Sequence, residues 1–129
     1  MRFSRVFLNR IQARPTDADT VVVIDVLRSF TTAAVALARG AGAIYPVENV
    51  TSAAGLAGQM ENALSVGAVG GGDPVPGFDF GNSPAQLAGL DLSGRSLVMS
   101  TAAGVRGLQR FHHARSEEHT SELQSLTNL

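Results

Sequence analysis

Asp25, Arg28, Ser29, Thr31 and Thr32 fall within the stretch IDVLRSFTTA, residues 24–33, after a run of three valines and ahead of an alanine-rich segment. A turn into a helix needs one capping residue, so five polar groups call for a further reason. A carboxylate at such a point suits a hard cation such as Mg²⁺, which takes one or two carboxylates and otherwise keeps waters and substrate oxygens. Arg28 offers a rigid donor fork for phosphate or another oxyanion. Ser29, Thr31 and Thr32 stand where the unpaired N–H groups and dipole of a helix N-terminus favour negative charge. The same residues also allow a structural reading, in which Ser29 caps the helix and Arg28 pairs with Asp25. Against it stands a charge inside a continuous apolar run, because buried carboxylates are rare unless paired or metal-bound.

Two later segments carry similar chemistry. In PVPGFDFGNSP, Pro74 to Pro84, prolines and glycines stiffen a loop bearing Asp79, Asn82 and Ser83. Such a loop could complete a metal or substrate site. Alternatively, Asp79 and Asn82 make turn hydrogen bonds and Ser83 caps the next helix. In STAAGVRG, Ser100, Thr101 and Arg106 surround Gly104, where the absent side chain would let backbone approach an oxyanion or simply let the chain turn. Glu48 reads as a solvated strand end.

Much chemistry is excluded. The chain has no cysteine and no lysine, which removes disulfides, thiolate zinc, cysteine nucleophiles, Schiff bases and the P-loop lysine. GAVGGGDPVPG lacks the dinucleotide fingerprint, and GNSPA is no nucleophile elbow. A D-x-D phosphatase motif would need an acid where Leu27 stands. His112 and His113 are adjacent, whereas metal sites want spaced ligands. A formal net charge of −1 without a basic block gives no reason to expect nucleic acid or an anionic membrane surface as partner. No signal peptide or membrane span is recognisable, so a cytoplasmic protein is expected.

Apolar residues at 44% and charged residues at 16% mark a globular chain. The expected elements are a strand at 5–8, a turn at 14–17, and a strand at 21–26 buried on both faces. A helix at 31–39 ending at Gly40 follows, then a strand at 43–47. Beyond these come a helix at 51–64 with Thr51 as N-cap, a strand at 65–70 and a loop at 70–84. The last elements are a short helix to Leu87, a strand at 97–100 and a helix at 104–111. Alternation of this kind predicts an α/β fold with a largely parallel sheet covered by helices on both faces. Ligands then bind outside the carboxyl ends of the strands, where the three polar clusters fall. From Arg115 the composition turns abruptly to RSEEHTSELQS, which resembles a translated sequencing adapter. Residues 1–114 are therefore expected to form the domain and 115–129 an artefactual, disordered or loosely helical tail.

Taken together, DVLRSFTTAAVAL, PVPGFDFGNSP and LVMSTAAGVRG resemble the 2-phosphosulfolactate phosphatase family, in order and in spacing. The resemblance covers residues 3–111 and corresponds to the N-terminal half of a family member. The third segment departs from the family's T-T-N-G-T form, Ala103 replacing its asparagine and Val105 its final threonine. The GGGDP segment also lacks a glutamate often seen after the third strand.

The resemblance implies Mg²⁺-dependent hydrolysis of a small anionic phosphorylated substrate, (2R)-O-phospho-3-sulfolactate, to 3-sulfolactate and phosphate. In methanogens that step belongs to coenzyme M biosynthesis. On this reading Asp25 and Asp79 hold the metal, and Arg28 acts with the amides near Thr31 and Thr32 on the phosphoryl group. Ser29, Ser83, Thr101 and Gly104 line the substrate site, and Asn82 and Arg106 hold the sulfonate or carboxylate. A homo-oligomer is compatible with the family. The alternatives are a non-catalytic anion- or nucleotide-binding module, or a fragment without activity of its own.

Overall fold

The computed structural model describes residues 20–70 and 72–111. The strand expected at 5–8, the turn at 14–17, His112, His113 and the tail from Arg115 lie outside the described residues.

Helix α1 spans Ser29–Ala38. Its Ala-rich sequence favours helix, and it stops at Gly40, whose φ of +96° a side chain would resist. The Gly40 and Ala41 amides return to the Leu37 and Ala36 carbonyls. Strand β1, Ala43–Pro46, follows. Helix α2 covers Val50–Gln59, and its N-cap is Asn49, whose side-chain oxygen accepts the Ser52 N–H at 2.8 Å. The expected helix at 51–64 therefore starts one residue early and ends five early. Its end is set by Asn62, which turns the chain at φ +60° so that Leu64 can enter strand β2, Ala63–Val69.

The Gly/Pro segment, expected as loop alone, contains two short strands, β3 at Asp73–Pro74 and β4 at Phe80–Gly81. Pro84 then opens the one-turn helix α3, Pro84–Leu87, and strand β5 covers Ser96–Ser100. Helix α4, Gly104–Phe111, falls where the sequence predicts it. In the sheet, β5 lies between β1 and β2 and is parallel to both; on the far side of β2, β4 pairs parallel and β3 antiparallel. The α/β expectation of a largely parallel sheet holds.

Register and pleat place the core. Ile44, Leu97 and Leu64 align across the strands, as do Met99 and Val66 one step further on. These residues join Ala36 of α1, Leu87 of α3, Leu92 and Val105 in one apolar cluster. Val98 points the other way by the pleat and is also fully buried, on the side where α2 packs against β2 and β5 and buries Ala53. Gly67 of β2 has no room for a side chain, because the Ser100 carbonyl and the Phe78 ring occupy that space.

Residues 21–26 depart from expectation. They are not a strand of the sheet, and they are not buried on both faces. Val22, Ile24 and Val26 are 75%, 78% and 64% exposed, alternating with half-buried Val21, Val23 and Asp25. The stretch passes along α4: Val23 fills the space beside Gly107, and Asp25 the space beside Gly104. A continuous apolar run needs a neighbour on each side to be buried on both faces. Here β1 and β2 flank β5, and among the described residues the run packs against α4 alone.

Candidate active site

β4, β5 and the start of α1 bring five of the expected residues to the carboxyl edge of the sheet. At the end of β5 stands Thr101, 4% exposed. Its hydroxyl oxygen accepts the Ser29 hydroxyl at 2.8 Å and the Val105 N–H of α4's first turn at 3.3 Å. Ser29, 1% exposed, in turn accepts the side-chain N–H of Asn82 at 3.3 Å. Asn82 follows β4 and is 8% exposed, and its Oδ1 has no hydrogen-bond partner. Such an orphaned acceptor costs free energy unless a ligand or water satisfies it.

Gly104 is the hub of this arrangement. A Cβ there would lie 2.6 Å from Asp25 Oδ2, 2.8 Å from Ser29 Cβ and 3.1 Å from Ser29 Oγ. Its missing side chain lets the Asp25 carboxylate settle against the first turn of α4. The structural alternative for the first cluster does not hold: Ser29 bonds to Thr101 rather than capping α1, and among the described residues no ion pair joins Arg28 to Asp25. Exposed Arg28 lays its guanidinium against Gly72 instead, where φ is +111° and a side chain would collide with it.

The other expected site residues are placed differently. Thr31 and Thr32 donate their hydroxyls to the Val26 and Arg28 carbonyls, so those protons tie down the first turn of α1. The amides of Phe30 and Thr32 are likewise spent, on Asp25 and Arg28 carbonyls. By contrast, the Ser29 and Thr31 amides meet no acceptor among the described residues. Ser83 is the N-cap residue of α3, yet its side chain makes no cap bond. Arg106 is exposed on the first turn of α4.

Asp79 is engaged elsewhere. Its Oδ2 accepts both the N–H and the hydroxyl of Ser65, at 2.8 and 2.7 Å, and its own N–H donates back to Ser65 Oγ at 2.9 Å. Ser65 belongs to none of the three polar segments that stand out in the sequence. Its signal was a lone hydroxyl in the buried strand ALSVGAV, which must find a partner. The Ser65 N–H is the largest influence holding the Asp79 carboxyl below the usual 3.8, against the opposing effect of burial, with the Ser65 hydroxyl and the Arg95 charge helping. A carboxyl depressed in the fold contributes stability above its unfolded pKa and loses it as pH falls through the folded value. An acid-limb stability titration is thus expected to show a component below about pH 4 that disappears in Asp79→Asn. An unchanged acid limb in that variant would contradict the linkage.

Removing the shared hydroxyl tests the network itself. Ser29→Ala leaves the Asn82 side-chain N–H without its partner, a loss of about 1–3 kcal/mol for a buried group. Urea unfolding should read that difference; a change within 0.5 kcal/mol, roughly that of a neutral surface substitution, would show that the network does not hold the loop.

Among the described residues no three His, Asp or Glu side chains gather to hold a metal. The oxygen donors on hand are the Asp25 carboxylate, the unpaired Asn82 Oδ1 and hydroxyls. That set fits Mg²⁺, which needs few protein ligands and retains waters.

Fold and geometry together define an α/β protein with an oxygen-rich cluster of side chains at the carboxyl edge of its parallel strands. A family model described as 2-phosphosulpholactate phosphatase matches residues 8–123. This chain belongs to that family. Relatives named "Probable 2-phosphosulfolactate phosphatase" include one from Carboxydothermus hydrogenoformans, 45% identical over 96 residues, covering 74% of this chain and 39% of the relative. Another, from Gloeobacter violaceus, is 40% identical over 97 residues, with coverage of 74% and 41%. A third, from Thermotoga petrophila, is 38% identical over 104 residues, with coverage of 81% and 43%. The matches thus span about two fifths of each relative's length.

Proposed function

We propose that the protein is a Mg²⁺-dependent phosphomonoester hydrolase acting on 2-phosphosulfolactate, releasing 3-sulfolactate and phosphate. The observation that carries this reading is the convergence of Asp25, Ser29, Asn82 and Thr101 around Gly104, with Asn82 Oδ1 unpaired. The family's name supplies the substrate. Asp25 and Asn82 would hold the metal. When bound, Mg²⁺ would neutralise phosphoryl oxygens and so ease charge build-up in the transition state.

The chain's own residues carry the rest. The unpaired Ser29 and Thr31 amides point to a role in receiving a phosphoryl oxygen at the start of α1. Thr101 has spent its oxygen's acceptor capacity on Ser29 and Val105, and its own proton can be donated to the same group. Arg28, joined to no carboxylate among the described residues, would offer its guanidinium to the substrate phosphate. Positioning and charge stabilisation of this kind are the main demands of phosphoryl transfer. Exposed Arg106 is assigned to the substrate's sulfonate or carboxylate.

Among the described residues no helix is long and apolar enough to cross a membrane; the cytoplasm is the compartment we propose. The test is phosphate release from 2-phosphosulfolactate by the full-length protein. Release that needs Mg²⁺ and stops on chelation supports the reading. Tight binding of the substrate without turnover would instead identify an anion-binding module.

A further inference from the structure

The last residues of the Gly/Pro loop reach the site only if that loop is held in one register, and the structure shows what holds it. β4 is two residues long and pairs Phe80 and Gly81 with Val66 and Gly67. One step earlier, the Ser65 N–H would need a carbonyl from a longer strand. The Asp79 carboxylate supplies the acceptor, takes the Ser65 hydroxyl on the same oxygen, and receives a bond back through its own N–H. Ser65 is 5% exposed whereas Asp79 is exposed, so the bonds tie a surface carboxylate to a buried amide and hydroxyl that must find a partner. Three residues further on stands Asn82, whose side chain meets Ser29. A one-residue slip of an extended segment turns its side chains to the opposite face.

We propose that Asp79 is a positioning residue, not a metal ligand: with Ser65 it clamps residues 79–82 in register so that Asn82 faces Ser29. This rests on the site reading above for its consequence, but the clamp itself can be measured apart from activity. The experiment compares Asp79→Ala, Asp79→Asn, Ser65→Ala and the double alanine variant in the full-length protein. Amide hydrogen exchange over residues 78–83 reports the clamp, and calorimetric titration with Mg²⁺ alone reports the metal.

Asp79→Ala and Ser65→Ala should each speed exchange about tenfold, as expected for the loss of a hydrogen bond to a charged group. Each should weaken Mg²⁺ binding by a similar factor, and the double variant should be no worse than either single one. Asp79→Asn keeps an acceptor and should stay within about threefold of wild type in both readouts. Loss of Mg²⁺ binding in Asp79→Asn with retention in Ser65→Ala would overturn the proposal and make Asp79 a ligand. Unchanged exchange in both alanine variants would overturn it as well. Should the wild type bind no Mg²⁺, the metal reading of the site fails, and the exchange result alone upholds or overturns the clamp.

Discussion

Gly104→Ala is expected to lower kcat about a hundredfold while leaving a folded protein. The new methyl would need the space now held by Asp25 Oδ2 and by Ser29, at 2.6 to 3.1 Å. None of these contacts is tolerable unrelaxed, and the easiest relief is to swing the Asp25 carboxylate away from α4. Displacing a catalytic group by about 1 Å costs roughly a hundredfold in rate. Overpacking adds a stability loss of about 1–3 kcal/mol. Steady-state kinetics and thermal unfolding on one preparation separate the two effects. Wild-type turnover in this variant would mean that the Asp25 position beside Gly104 has no bearing on the reaction.

Asp25→Asn should cost at least as much in rate and far less in stability. The substitution keeps shape and size but removes the only carboxylate among the described residues gathered around Gly104, and with it the charge that the proposed Mg²⁺ would meet. Metal stabilisation of transition-state charge is worth several kcal/mol, and each 1.4 kcal/mol is tenfold. We expect a loss of about a hundredfold or more in kcat/KM, with weaker Mg²⁺ dependence of what remains. A variant with full activity, or with an unaltered Mg²⁺ requirement, would remove Asp25 from the metal site.

Both predictions concern residues that were legible in the sequence, and the reason is chemical. A charge among valines and a glycine in STAAGVRG are each anomalous in their local context, so they stand out without knowledge of the fold. Helix α4, strand β5 and the Pro84 start of α3 were legible for a similar reason, because their signals are local. Residues 21–26 were misread because an apolar run reports an appetite for burial but not which neighbour meets it. Val22, Ile24 and Val26 remain exposed, whereas Val23 and Asp25 lie against α4. The length of α2 was misjudged because Asn62 was not recognised as a left-handed turn.

Polar side chains show the same limit. Thr31 and Thr32 sit where oxyanion donors would sit, yet their protons go to backbone carbonyls one turn back. Short polar side chains near helix starts commonly compete for such bonds, and sequence does not say which partner wins. The rigid loop places the Asp79 carboxylate where a metal ligand could stand, but the sequence does not show that Ser65 shares it. Its partner Ser65 lies 14 positions away in another strand, a pairing that only the β2–β4 register reveals.

The proposed metal site can be tested directly with Mn²⁺ in place of Mg²⁺, through paramagnetic broadening of backbone amide resonances in the full-length protein. Broadening centred on Asp25, Asn82 and Gly104, abolished by Asp25→Asn, is the result expected from this site. Broadening centred on Glu48, Asp73 or Asp79, with the Asp25 and Gly104 amides sharp, would contradict it.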